Sequence, residues 1–136
     1  MIILGLTGWV IWAATGASLP IASALARAGG ACRPNFRGQP VPVGIGVVPT
    51  GWIVTALVLG AAVGFVRFQE ALAAEFLAQS LCLLGWLDDQ WGDRQLRGLK
   101  GHLGALMRGH WSTGSVKALG GVAAAFISAA LLIGDA

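Results

Sequence analysis

The stretch MIILGLTGWVIWAATGASLPIASALA, Met1 to Ala26, contains no charged residue. One helix needs about 20 apolar residues to cross the ~30 Å hydrocarbon core of a bilayer. The run is too long for the apolar core of a signal peptide, and Arg27 follows it rather than preceding it. It therefore predicts a first transmembrane helix, with Pro20 as a kink. Trp9 and Trp12 suit interfacial anchoring, or packing against neighbouring spans.

The rest of the chain agrees. Of its 136 residues 56% are hydrophobic and 11% charged, whereas a soluble domain carries about 25% charged residues. The mean hydropathy is +0.74. In lipid every backbone amide must be bonded internally, so apolar stretches are helices or closed-barrel strands. These stretches are continuous rather than alternating, which selects helices. The net charge of +3 is too small to indicate nucleic-acid binding. Cys32 and Cys82 have no metal-like spacing, and a disulfide between them is not expected.

Arg27 to Gln39 is polar and basic. The segment Pro40-Val41-Pro42-Val43-Gly44-Ile45-Gly46-Val47-Val48-Pro49 follows, and its three prolines and two glycines exclude a regular helix. An apolar, non-helical segment at a membrane boundary must be buried in protein or line a cavity. A second span is expected from about Gly51 to Val66, with residues of the preceding segment available to lengthen it, and Gly60 and Gly64 suit close helix contact. Arg67 to Glu70 reads as a short turn. A third span runs from about Ala71 to Leu87. Glu75, near its start, is either a functional carboxylate or one that snorkels or pairs with Arg67. Asp88 to Lys117 is a long polar connection, and a fourth span runs from about Ala118 to Gly134. The fold expected is thus all-α, a single multi-pass domain of about four transmembrane helices. Loops one and three together hold eight basic residues, loop two only Arg67. The positive-inside rule then places loops one and three in the cytosol and the N-terminus outside.

The strongest local signal is Gly85-Trp86-Leu87-Asp88-Asp89-Gln90-Trp91-Gly92-Asp93. Bare carboxylates at Asp88 and Asp89 are disfavoured by each other and by the negative end of a helix. A divalent cation relieves both effects. Mg2+ commonly takes one or two carboxylates and completes its shell with water and substrate phosphates. Asp93 is a third acid nearby, although Gly92 argues against helix continuation to it. The plainer reading is that these acids mark the membrane boundary.

Arg94, Arg97, Lys100, Arg108 and Lys117 surround the acids in sequence, with His102 and His110 among them. Carboxylates for a metal beside Arg and Lys for phosphate oxygens suit pyrophosphate chemistry. Attraction of a basic loop to anionic lipid accounts for some of the basic residues but not for the acids. Leu96, Leu99, Leu103 and Leu106 would form one stripe of an interfacial amphipathic helix. Thr113-Gly114-Ser115-Val116-Lys117 opens the fourth span. It reads as a phosphate cradle, or as a simple cap by Thr113 or Ser115.

In combination these segments resemble the polyprenyl-phosphate N-acetylhexosamine-1-phosphate transferases, glycosyltransferase family 4. That family includes phospho-N-acetylmuramoyl-pentapeptide transferase and the enzymes that begin O-antigen, enterobacterial common antigen and teichoic-acid synthesis. Four pieces match in order. Arg33-Pro34-Asn35-Phe36-Arg37-Gly38 with Pro42 and the following glycines resembles the first cytosolic loop. Leu87-Asp88-Asp89 resembles the paired-aspartate motif. Arg97-Gly98-Leu99-Lys100-Gly101-His102 resembles the basic stretch after it, and Thr113-Gly114 with Lys117 the start of the fourth span.

The resemblance implies transfer of sugar-1-phosphate from a UDP-N-acetylhexosamine to polyprenyl (undecaprenyl) phosphate, with release of UMP and dependence on Mg2+. The setting implied is peptidoglycan or cell-envelope polysaccharide synthesis at the inner (plasma) membrane. Asp88 and Asp89 would hold the metal and the lipid-phosphate end of the site, and Lys100 would stabilise phosphate charge. Asn35, Arg37, Pro42, Gly44, Gly46, Asp93, Arg97, His102, Thr113 and Lys117 would complete the substrate site. The sequence also departs from the family, whose members have about ten spans and carry a further catalytic aspartate and a histidine-rich motif in later loops. After Lys117 this chain has no histidine, and its only carboxylate side chain is Asp135. The expectation is an N-terminal portion, inactive alone, that works with the missing C-terminal half or as a homodimer. Two other readings are a Mg2+-dependent membrane prenyltransferase and a non-catalytic four-span adaptor.

Overall fold

A computed structural model of the chain describes residues 2–92, 101, 104 and 107–134, with side chains from Leu6 onward. Among the described residues four helices have defined bounds: α1 (Ile2–Ala28), α2 (Val47–Ala62), α3 (Phe68–Trp91) and α4 (Thr113–Ile133). Two three-residue strands, β1 (Cys32–Pro34) and β2 (Pro40–Pro42), lie between α1 and α2 and pair antiparallel, Cys32 opposite Pro42. α1, α3 and α4 are long and apolar enough to cross a membrane. α2 is apolar but has only 16 residues.

Each helix packs on the next, and α3 against α4 is the most extensive interface. Almost nothing else is buried. Among the described residues Ala71, Ala73 and Ala124 are the only fully buried apolar side chains. Large ones such as Trp12 and Phe126 are each 73% exposed. Such a surface is stable in lipid, where association depends on close packing and interhelical hydrogen bonds rather than on escape from water. The α3–α4 contact fits this. Gly120 faces Leu84, Gly121 faces Leu81, and the buried Ser128 hydroxyl donates to the Ala73 carbonyl at 2.9 Å. α1 is tied to α2 by Trp52, whose Nε1 donates to Ser18 Oγ at 3.0 Å.

Several boundaries differ from the sequence expectation. α2 starts at Val47, not Gly51, because Pro49 falls in the first helical turn, where a missing N–H costs nothing. α2 ends at Ala62, so Gly64 is not on a helix face. Instead Gly64 turns the chain with φ +76, and the Gly60 carbonyl accepts from Phe65 and Val66 N–H at 2.8 and 3.2 Å. Gly60 is small because Val66 folds back over it. α3 begins at Phe68 rather than Ala71, with Arg67 just outside it and bonded to Glu70 at 2.7 Å. Arg67 thus pairs with Glu70, not with Glu75 as one of the alternatives for Glu75 had it. Glu75 lies in a small hollow with Val58, Ala62 and Phe68. Pro20 lies inside α1 without ending it.

Candidate functional site

The first loop meets the last turns of α3. The hairpin β1–β2 places the chain for this. Asn35 accepts at Oδ1 from the Arg37 and Gln39 N–H groups, at 2.8 and 3.0 Å, and so closes the turn. Val43 N–H then bonds the Ala31 carbonyl at 3.0 Å. Pro42 to Gly46 are thereby led across the end of α3. Gly44 has φ +74, and a Cβ there would stand 3.2 Å from Trp86 Cδ1. Only glycine accepts both the left-handed backbone and the indole.

The acids sit in the last turns of α3, which continues three residues past Asp88 and stops at Gly92. Gly44 N–H donates to Asp89 Oδ2 at 2.8 Å. Asp88 Oδ2 lies 3.6 Å from Lys117 Nζ on α4. Both partners of that pair are partly exposed, so it orients rather than stabilises. The bond to Asp89 is charge-assisted and directional. Arg33, in β1, donates to the Gln90 carbonyl.

A cleft of about 680 Å³ opens between α2 and α3 beneath these contacts. Its wall on α3 holds the small residues Ala74, Ala78, Cys82 and Gly85, spaced at four, four and three, with Leu77, Leu81 and Trp86 beside them. Its polar end holds Gly44, Gly46, Asp89 and Lys117. Asp88 lines a separate hollow of about 260 Å³ with Thr113, Trp91 and Trp111. Neighbouring residues on a helix point in different directions, and the two acids divide between two hollows accordingly.

The structure thus brings Gly44, Gly46, Asp88, Asp89, Thr113 and Lys117 to one end of the molecule. Asn35 and Arg37 form the hairpin turn, outside the lining of the cleft. Arg37 lies over the Phe36 ring, 5.1 Å from its centre. Pro42 is the last residue of β2. Asp93, Arg97, Lys100 and His102 lie outside the described residues, as does the leucine stripe. Among the described residues no three His, Cys, Asp or Glu side chains gather as a metal would require of protein ligands alone. Mg2+ bound through one or two carboxylates with water and phosphate does not need three. Each carboxylate is an oxygen donor of the kind that mode uses, Asp89 in the cleft and Asp88 in the neighbouring hollow.

The start of α4 departs from expectation. Its cap is Ser112, neither Thr113 nor Ser115: Ser112 Oγ accepts from Ser115 N–H at 3.1 Å. The Ser112 and Ser115 hydroxyls are 2.8 Å apart and buried. The Ser115 amide is therefore engaged by the chain itself. Ser112→Ala is expected to cost about 1 kcal/mol, read as a lowered thermal midpoint in detergent.

Three contributors were not singled out as site residues from sequence. Arg33 is marked in the sequence by the basic loop and by the family-like segment Arg33 to Gly38, but not as a site residue. Trp86 stands three residues before Asp89, a helical spacing that signals a shared face. Ser112 precedes an apolar run, which is a capping signal. Comparison with protein-family models, curated proteins and solved structures finds no match to the chain.

Proposed function

We propose that the chain provides the metal and lipid-phosphate end of a membrane enzyme that transfers sugar-1-phosphate from a UDP-N-acetylhexosamine to polyprenyl phosphate. One observation carries the reading. Asp89, Lys117 and the Gly44 amide, from three separate parts of the sequence, meet at the polar end of an apolar cleft, and Asp88, in the neighbouring hollow, stands 3.6 Å from Lys117. An amphiphile with a phosphate head matches such a cleft in shape and chemistry. In this reading the N-terminus is outside, and loops one and three face the cytosol, where nucleotide sugars are made.

Mg2+, when bound, would offset the charge of both phosphates. Asp89, aimed by the Gly44 amide, and Asp88, held towards Lys117, would hold it. Lys117 would contact phosphate oxygen as a mobile point charge. The glycines at 44 and 46 would let the backbone come close to the head group. Catalysis would come mainly from positioning and charge stabilisation.

The test uses the whole chain in nanodiscs containing undecaprenyl phosphate. Mg2+-dependent retention of that lipid is expected, and Asp88→Asn and Asp89→Asn should each abolish the Mg2+ dependence. Equal retention without Mg2+, or by both variants, would exclude the reading. Stimulation by a prenyl pyrophosphate instead of a UDP-sugar would favour the prenyltransferase.

A further inference from the structure

The first loop touches the last turns of α3 at three places. Arg33 donates to the Gln90 carbonyl, one of the four carbonyls at the end of α3 that lack helical partners. Gly44 N–H bonds Asp89 Oδ2. The edge of Trp86 lies against Gly44 where any other residue would carry a Cβ. Trp86 and Asp89 lie three residues apart and line the same cleft. Trp91 stands edge-on to Trp86, ring centres 5.8 Å apart and planes at 82°, which steadies the indole.

We propose that Trp86 is a positioning residue. It holds Gly44 where its N–H fixes Asp89 Oδ2, so that the first loop sets the direction of the carboxylate and leaves Oδ1 for a ligand. A free aspartate rotates about two side-chain bonds. The amide removes that freedom only while the loop is held, and the indole is the side chain against it. Groups that orient a metal-binding carboxylate change metal affinity by about 10- to 100-fold when removed. Only the metal arm of the test rests on Asp89 being a Mg2+ ligand.

The first arm needs no metal. The whole chain is labelled with 15N-glycine in detergent micelles, and the Gly44 amide resonance is assigned by its loss in Gly44→Ala. It is expected downfield, moving upfield in Asp89→Ala and in Trp86→Ala. It should stay in place in Trp86→Phe, which keeps an aromatic plate, and in Phe36→Ala, on the exposed hairpin tip. A resonance that ignores Asp89→Ala or Trp86→Ala overturns the proposal. The second arm titrates Mn2+, followed by electron paramagnetic resonance. Trp86→Ala is expected to bind at least about tenfold more weakly than the unaltered chain, with Trp86→Phe close to it. Equal affinity of Trp86→Ala and the unaltered chain overturns the role. If the unaltered chain binds no Mn2+, the metal reading of Asp89 fails, and the amide resonance alone decides the proposal.

Discussion

A Gly120→Leu variant is expected to force α4 away from α3. A Cβ at Gly120 would stand 2.9 and 3.0 Å from the two methyl carbons of Leu84. A methyl alone asks Leu84 to shift, but a leucine adds three more carbons where the helices touch most closely. Overpacking of this kind costs about 1–3 kcal/mol, occasionally more. Two further contacts depend on the same approach. Ser128 reaches the Ala73 carbonyl from α4, and Lys117, three residues before Gly120, reaches Asp88. The measurement is reversible unfolding in mixed micelles, where the variant should lose roughly 2–3 kcal/mol. Gly121→Ala is the control. Its Cβ would make ordinary contact with Leu81 at 3.5 Å, and it should change stability by less than about 0.5 kcal/mol. Equal stability of Gly120→Leu and the unaltered chain would show that the helices do not meet there.

Gly44→Val is expected to have the second large effect, through backbone and contact together. The left-handed conformation at φ +74 costs a residue with a Cβ about 1–2 kcal/mol, and a β-branched one suffers most. The new side chain would also press on Trp86, whose ring carbon is 3.2 Å from the Cβ position. Relief requires the loop to withdraw, which takes the N–H from Asp89. The loss is expected on the order of 3 kcal/mol, measured in the same micelles. Gly51→Ala, with open space around its Cβ position and a place inside α2, should be neutral or stabilising. The opposite signs at two glycines seven residues apart separate a positional requirement from general sensitivity.

The long helices could be read from sequence because lipid demands continuous apolar runs, and such runs need no partner to be recognised. Their ends were less legible. Phe68-Gln69-Glu70 is polar enough to pass for a turn, yet it belongs to α3, since a helix continues past the apolar region while its backbone stays bonded. Pro49 hid the start of α2 because proline breaks a helix everywhere except in the first turn. The hairpin was hidden because each strand has three residues and ends in proline, and strand pairing depends on contacts far apart in sequence. In the site, the acids were conspicuous as charges at the end of an apolar run. The Gly44–Asp89 bond spans 45 positions and leaves no local signal. Sequence could mark both residues as unusual, but not that one holds the other.

The 16 residues of α2 rise about 24 Å, whereas the 24 residues of α3 rise about 36 Å. The two helices are joined by a tight turn at one end, so the whole difference accumulates at the other. There a non-helical strap from Pro42 to Gly46 replaces the missing helical turns. A bilayer core of ~30 Å meets a step along this side of the protein and must thin or dimple to follow it. A headgroup passing such a step would sink with the surrounding leaflet. If Asp89 takes a lipid phosphate as proposed, the depth at which it is reached would be governed by the shortness of α2, and bilayers of differing thickness would tune access to that carboxylate without altering any side chain.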